Sequence, residues 1–177
     1  MTGTNEFTTE RLIMRRYHMD DAWILYEKFG CDPQMYRYSG WNPYASYDMA
    51  YRTVQRFIES YPLPDFYGWA IEHEGHLIGT IGAYEYDSKG NSVEIGLSIA
   101  RDVWKNGYAT EALIGVIEYL TKHEGIKVMT AWCASDNTGS KRAMQKAGMK
   151  QVVIEKDALE VDGMIYDKLV FEYVSHL

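Results

Sequence analysis

The chain is poor in cysteine. It has two, Cys31 and Cys133, and their wide separation offers neither a disulfide framework nor metal-ligand spacing. His18, His123 and His176 stand alone, and His73 and His76 flank a turn as surface residues, so no metal-ligand set emerges. Lysine and arginine number 18 against 25 aspartates and glutamates, for a net charge of −7 and a pI near 5.2. That deficit argues against a nucleic-acid backbone as the main partner. It mildly favours a cationic small molecule or a basic peptide. No apolar run approaches the ~20 residues that cross a bilayer. The opening MTGTNEFTTERL lacks the basic and apolar blocks of a signal peptide. A reducing, cytoplasmic setting without a membrane partner is therefore expected. Low-complexity linkers and internal repeats are missing as well. So are the two commonest phosphate-loop signatures, G-x-x-x-x-G-K-[ST] and G-x-G-x-x-G.

What is present reads as one domain over 1–177, long enough to bury a core without staples. The chain carries 15 tyrosines and 5 tryptophans, many of them between Tyr36 and Tyr86, a density that lines a pocket or fills a core. Residues 11–16 read as a first strand. Asp20 or Asp21 caps a short helix ending near Gly30. A second helix follows Ser46, with Tyr47, Ala50, Tyr51, Val54, Phe57, Ile58 and Tyr61 on one face, and Pro62 and Pro64 end it. Strands at 66–74 and 76–86 join at Glu74-Gly75-His76, and a third covers 92–99 after a turn at 87–90. A helix runs to about Glu124 with the stripe Ala109, Ala112, Leu113, Val116, Ile117 and Leu120. A strand at 127–133, a helix at 138–147 and strands at 149–155 and 165–174, turning at Asp162-Gly163, complete the chain. This order predicts an α+β domain around one mixed, mostly antiparallel sheet flanked by helices.

The stretch VWKNGYATEA, 103–112, places a side-chain-poor turn directly before the long helix. A helix N-terminus offers free backbone N–H groups and a partial positive charge, and so attracts anions, phosphates above all. Gly107 lets a bulky anion approach the backbone, and Ala109 and Thr110 keep the first turn small. The plainer alternative is a turn glycine with no ligand. Gly96, inside a strand, marks either a close backbone approach or a packing contact.

Three segments together resemble the GNAT-superfamily N-acetyltransferases, in particular the branch that acetylates N-terminal alanine of ribosomal proteins. VEIGLSIARDVWKNGYATEAL resembles the family's acetyl-CoA motif. ASDNTGSKRAMQKAGM resembles its second motif, and TERLIMRRYHMDDA the branch's N-terminal strand and first helix. The likeness implies an acetyl-CoA-dependent transfer to an amine, without a metal, in a family where homodimers occur. It implies that Leu97, Ser98 and Ile99 pair their backbones with the pantetheine arm. It further implies that Trp104, Lys105, Asn106, Gly107, Tyr108, Ala109 and Thr110 form the pyrophosphate loop, and that Asn137 bonds the pantetheine from the other side. Trp104 stands where the family usually has Gln or Arg.

Acyl transfer from a thioester needs a deprotonated amine, a stabilised oxyanion and a tolerable leaving group. Glu94 is the first candidate base, because it alternates with Val93 and Ile95 and shares the face of Gly96 and Ser98. Glu155 is a second, by looser resemblance. For the acid, many family members place a tyrosine where this chain has Met144, which donates no proton. Ser140 is the substitute candidate for the thiol, or else a plain first-turn residue. Tyr38, Trp41, Tyr44, Trp69 and Tyr84 are candidates for an amine-binding wall through cation–π attraction, with core packing as the alternative for each. A non-catalytic acyl-CoA sensor and a transferase of a longer acyl group are the rival readings. The acceptor, protein N-terminus or small-molecule amine, stays open.

Overall fold

In the computed structural model, which describes residues 1–176, eight strands form one open sheet in the order β1-β2-β3-β4-β5-β6-β8-β7. These are Phe7–Thr8, Ile13–Arg15, Tyr67–His73, His76–Asp87, Ser92–Ile99, Val128–Ala134, Lys150–Val161 and Met164–Val174, numbered β1 to β8 along the chain. The helices are α1 (Asp21–Leu25), α2 (Pro33–Tyr36), α3 (Tyr47–Ser60), α4 (Tyr108–Glu124) and α5 (Thr138–Lys146). All strand pairs are antiparallel except β5 with β6.

Local chemistry explains most of these elements. Glu74 and Gly75 both take left-handed φ values, 49° and 79°, the pattern of a two-residue hairpin turn joining β3 to β4. Asp162 and Gly163 repeat it at 50° and 76° between β7 and β8. Ser46 caps α3 by accepting from the Met49 N–H at 3.2 Å. The stripe of α4 buries Ala112, Leu113, Val116, Ile117 and Leu120 against Val93, Ile95, Trp69 and Ile71 on one face of the sheet. The opposite face carries Ala70 and Leu77 beneath Ala22, Leu25, Phe29, Ala50 and Val54 of the α1–α3 layer.

Three expectations are corrected. The first strand spans only Ile13–Arg15 and pairs with a short strand Phe7–Thr8, because the chain turns at Thr9, whose N–H donates to Leu12 C=O at 2.9 Å. The helix ending near Gly30 is α-helical only to Leu25 and continues as a wider π-type segment, Tyr26–Gly30. A Cβ on Gly30 would lie 1.7 Å from the Tyr44 carbonyl oxygen, so the loop to α3 packs directly on its backbone. The last hairpin is longer than its periodicity suggests, since bulges at 151–153 and 155–159 break the alternation along β7. The short helix α2, capped by Asp32, is an addition.

Strands β5 and β6 pair only from Ser92↔Val128 to Glu94↔Thr130. Beyond this point β5 stays bonded to β4 as far as Gly79↔Ile99, and β6 to β8 as far as Ala134↔Lys168. Each strand is held on its outer side, and the two inner edges part. The resulting gap opens toward the turn at Gly107 and the start of α5.

Candidate functional site

The loop before α4 is held in an unusual shape. Lys105 and Gly107 have φ values of 67° and 83° with Asn106 between them, and alternating left-handed residues aim successive N–H groups to one side. The first main-chain bond of the helix is Glu111 N–H to Gly107 C=O at 3.0 Å. Among the described residues, the N–H groups of Tyr108, Ala109 and Thr110 meet no protein acceptor. Trp104 turns its indole back, and its Nε1 donates to Ile99 C=O at 2.6 Å. The side chain of Asn106 donates to Val103 C=O at 2.9 Å. Lys105 is exposed, with no ion pair among the described residues. A groove of about 730 Å³ runs from Gly107 and Thr110 along α4, and its charged lining is mixed, Arg11, Lys122 and Lys146 with Glu10, Glu111 and Glu118.

The free edge of β5 forms one wall of the gap. Ala100 N–H donates to Ile78 C=O at 2.8 Å, and antiparallel pairs alternate between bonded and non-bonded positions. Ser98, Gly96 and Glu94 therefore turn their main-chain groups toward β4, and Leu97 and Ile99 turn theirs into the gap. This corrects the expectation for Ser98, whose backbone is taken by Thr80. Across the gap Asn137 caps α5, its Oδ1 accepting from Ser140 N–H at 3.2 Å, and its amide NH₂ has no acceptor among the described residues. The Ser140 side chain is half-buried and has no partner among the described residues. Met144 is core.

Glu94 is half-buried where β5 and β6 separate. The indole of Trp132 on β6 donates to its Oε1 at 3.0 Å. Lys168 sits over that indole, Nζ 5.2 Å from the ring centroid, and reaches the exposed Glu155 at 3.7 Å. Glu155 is thus paired on the outer strands, and Glu94 faces the gap. Tyr84, opposite Glu94 in register, lies along the sheet. A Cβ on Gly82 would come within 2.5 Å of its hydroxyl, and one on Gly96 within 3.0 Å of its ring. The glycine inside β5 is therefore explained by the tyrosine that covers it. Tyr84 is 46% exposed, but its hydroxyl turns in over Gly82, and the loss of solvent there raises the phenol above the ordinary tyrosine value; full burial does the same to Tyr44 and Tyr17.

The aromatic wall is only partly assembled. Tyr38 donates to Asp136 C=O at 3.4 Å and packs on Tyr166, beside the start of α5. Trp41 is 65% exposed on the loop before α3. Tyr44 is buried, 8% exposed. Trp69 is a correction: it is fully buried under α4, against Phe7 and Tyr119, with its Nε1 on Asn5 C=O at 2.8 Å. Trp132, Lys168 and Arg11 were missed. For Trp132 a signal existed, because Thr130 and Trp132 alternate with the apolar Met129, Ala131 and Cys133.

The chain as a whole is similar to known proteins. Residues 11–150 match the family model of the acetyltransferase (GNAT) domain. An uncharacterized N-acetyltransferase, YoaA, of Bacillus subtilis (strain 168) is 30% identical over 169 residues, covering 94% of this chain and 95% of that protein. RimL, a ribosomal alpha-N-protein acetyltransferase solved in complex with coenzyme A, superposes with a TM-score of 0.85 at 15% identity, covering 96% and 98% of the two chains. The microcin self-immunity acetyltransferase MccE, in complex with acetyl-CoA and AMP, gives a TM-score of 0.84 at 15% identity, covering 94% and 93%. With its strand gap, amide-rich loop and helix start arranged in this order, the chain belongs to the GNAT acetyltransferases and is an acyltransferase that takes its acetyl group from acetyl-CoA.

Proposed function

We propose that the protein transfers the acetyl group to a primary amine by direct attack on the thioester. The observation that carries this is the parting of β5 and β6, which leads from the Glu94 carboxylate, past the free backbone of Leu97 and Ile99, to the open N–H groups of 105–110. The pantetheine arm lies in that gap, bonded by Leu97, Ile99 and the Asn137 amide, and the pyrophosphate rests on the loop and the α4 N-terminus.

The amine nitrogen attacks the thioester carbonyl carbon and the C–S bond breaks. An alkyl ammonium titrates near ~10, so proton removal limits the reaction at neutral pH. Glu94, held by Trp132, takes that proton directly or through a water. The thiol titrates near ~8.5, so the thiolate leaves readily, and the Ser140 hydroxyl hydrogen-bonds the sulfur as charge builds. Tyr84 covers the sheet beside Glu94, and Tyr38 and Trp41 lie on the segment facing the same side, which suits an ammonium arriving over aromatic faces.

The acceptor class, protein N-terminus or small-molecule amine, is read from a thiol-release assay. Purified protein with acetyl-CoA is offered N-terminal peptides, polyamines and aminoglycoside-like amines. Release on one class supports the reading and names the acceptor. Tight acetyl-CoA binding with no release on any amine favours a sensor.

A further inference from the structure

The phosphate loop is shaped from outside itself. Arg11, in the turn between β1 and β2, donates from Nη1 to Asn106 C=O at 3.0 Å. Its Nε donates to Glu111 Oε2 at 2.7 Å, and its main-chain N–H to Glu111 Oε1 at 2.7 Å. Thr9 holds the same carboxylate oxygen at 2.6 Å. The guanidinium lies over the Tyr108 ring, 4.6 Å from its centroid. The Tyr108 hydroxyl meets His73 Nε2 at 2.9 Å, and His73 Nδ1 lies 3.0 Å from Arg11 C=O. A carbonyl only accepts, so Nδ1 carries the hydrogen and the circuit closes on Arg11.

We infer that Arg11 is a positioning residue for the pyrophosphate site: by holding the Asn106 carbonyl and Glu111 together it fixes the N–H groups of the loop for phosphate. The inference rests on the loop being that site. A trans peptide is planar, with C=O and N–H on opposite sides. Tying the Asn106 carbonyl to Arg11 therefore points the Gly107 N–H away from the guanidinium, toward the open side of the loop. Lys105 sits at φ 67°, where a lysine rarely rests, and such a residue persists only when its surroundings hold it. The loop is tied by Trp104 to Ile99 and by the Asn106 side chain to Val103, and from a distant element by Arg11 to the Asn106 carbonyl. Arg11 acts through geometry more than through charge, since Nε and Nη1 are already occupied and its charge is offset by Glu111.

The test compares acetyl-CoA with S-acetylpantetheine, which has the thioester and lacks the pyrophosphate, on the wild type, Arg11→Lys and Arg11→Met. Lysine keeps the charge but lacks the rigid planar fork whose separate nitrogens meet Asn106 and Glu111. Both variants are expected to raise the KM for acetyl-CoA about tenfold, the scale of a lost charge-assisted hydrogen bond. The kcat at saturating acetyl-CoA and the kcat/KM for S-acetylpantetheine should stay near wild type. Wild-type KM in Arg11→Lys would reduce Arg11 to a charge and overturn the inference. Equal losses on both substrates would show a folding role and also overturn it, and Glu111→Gln, which loosens the same tie, repeats the comparison should the Arg11 variants fold poorly. If the wild type itself does not prefer acetyl-CoA, the loop is not the pyrophosphate site and the proposed function fails first.

Discussion

At Glu94 the neighbours decide the chemistry. Its oxygen is bonded by Trp132, its strand partner is Tyr84, and it sits where two strands separate. Glu94→Gln keeps the shape and removes the proton acceptor. It should lower kcat about 100-fold or more while leaving the affinity for acetyl-CoA within about twofold. Steady-state kinetics beside calorimetric binding reads both, and unchanged turnover would remove Glu94 from the mechanism. Glu111 makes a pH prediction. Burial alone would raise its carboxyl, but hydrogen bonds from Thr9 and from the backbone and guanidinium of Arg11 outweigh that and hold it below the usual value. A depressed folded value stabilises above the unfolded glutamate range and is lost as pH falls through the folded value. Wild type should therefore melt above Glu111→Gln at pH 7, and the gap in Tm should close below about pH 4. A gap that does not narrow at all as the pH falls below the unfolded glutamate range would mean that the carboxylate charge is not what stabilises. Cys133 is buried and its thiol is pushed up to about 11 by desolvation, whereas Cys31 is exposed. A native thiol titration at pH 8 should count one thiol, and none in Cys31→Ser.

At the scale of elements, ends and turns carry the design. The Ser46 cap, the left-handed turns at Glu74-Gly75 and Asp162-Gly163, and Gly107 and Gly125 at the two ends of α4 all follow from residues within a few positions of one another. They were legible for that reason. The π segment at Tyr26–Gly30 was not, because its widening belongs to the contact of Gly30 with the Tyr44 carbonyl. That contact predicts contrasting glycine substitutions. Gly30→Ala must move backbone and should cost more than about 3 kcal/mol in chemical denaturation. Gly75→Ala meets open space and bears only its left-handed strain, about 1 kcal/mol. Equal costs would mean that the π segment yields easily. On β3, the alternation of Tyr67, Trp69 and Ile71 with Gly68 and Ala70 was visible, but helices cover both faces of that strand. Period alone does not say which face meets ligand, and for Trp69 the core-packing alternative is the one the structure shows.

Across the whole molecule, the gap between β5 and β6 divides the sheet into two parts joined by three residue pairs. A ligand bonded to both inner edges links those parts. At acetyl-CoA about 100-fold above Kd, linkage gives about 2.7 kcal/mol, which for a chain of this size raises Tm by roughly 5–10 °C. A melting curve with and without acetyl-CoA checks this, and Arg11→Lys should show a smaller rise at the same concentration. The sequence by itself determined the local pieces: the helix stripes, the caps, the hairpin turns, and the glycine that starts α4 with free N–H groups. Periodicity and turn chemistry act over a few residues and need no distant partner. Only the tertiary structure decided that β5 and β6 part, that Trp132 bonds a carboxylate 38 residues away, and that Arg11 holds a carbonyl 95 residues away. Those contacts depend on strand register and on which sheet edges are already paired, and neither is written in a short stretch of chain.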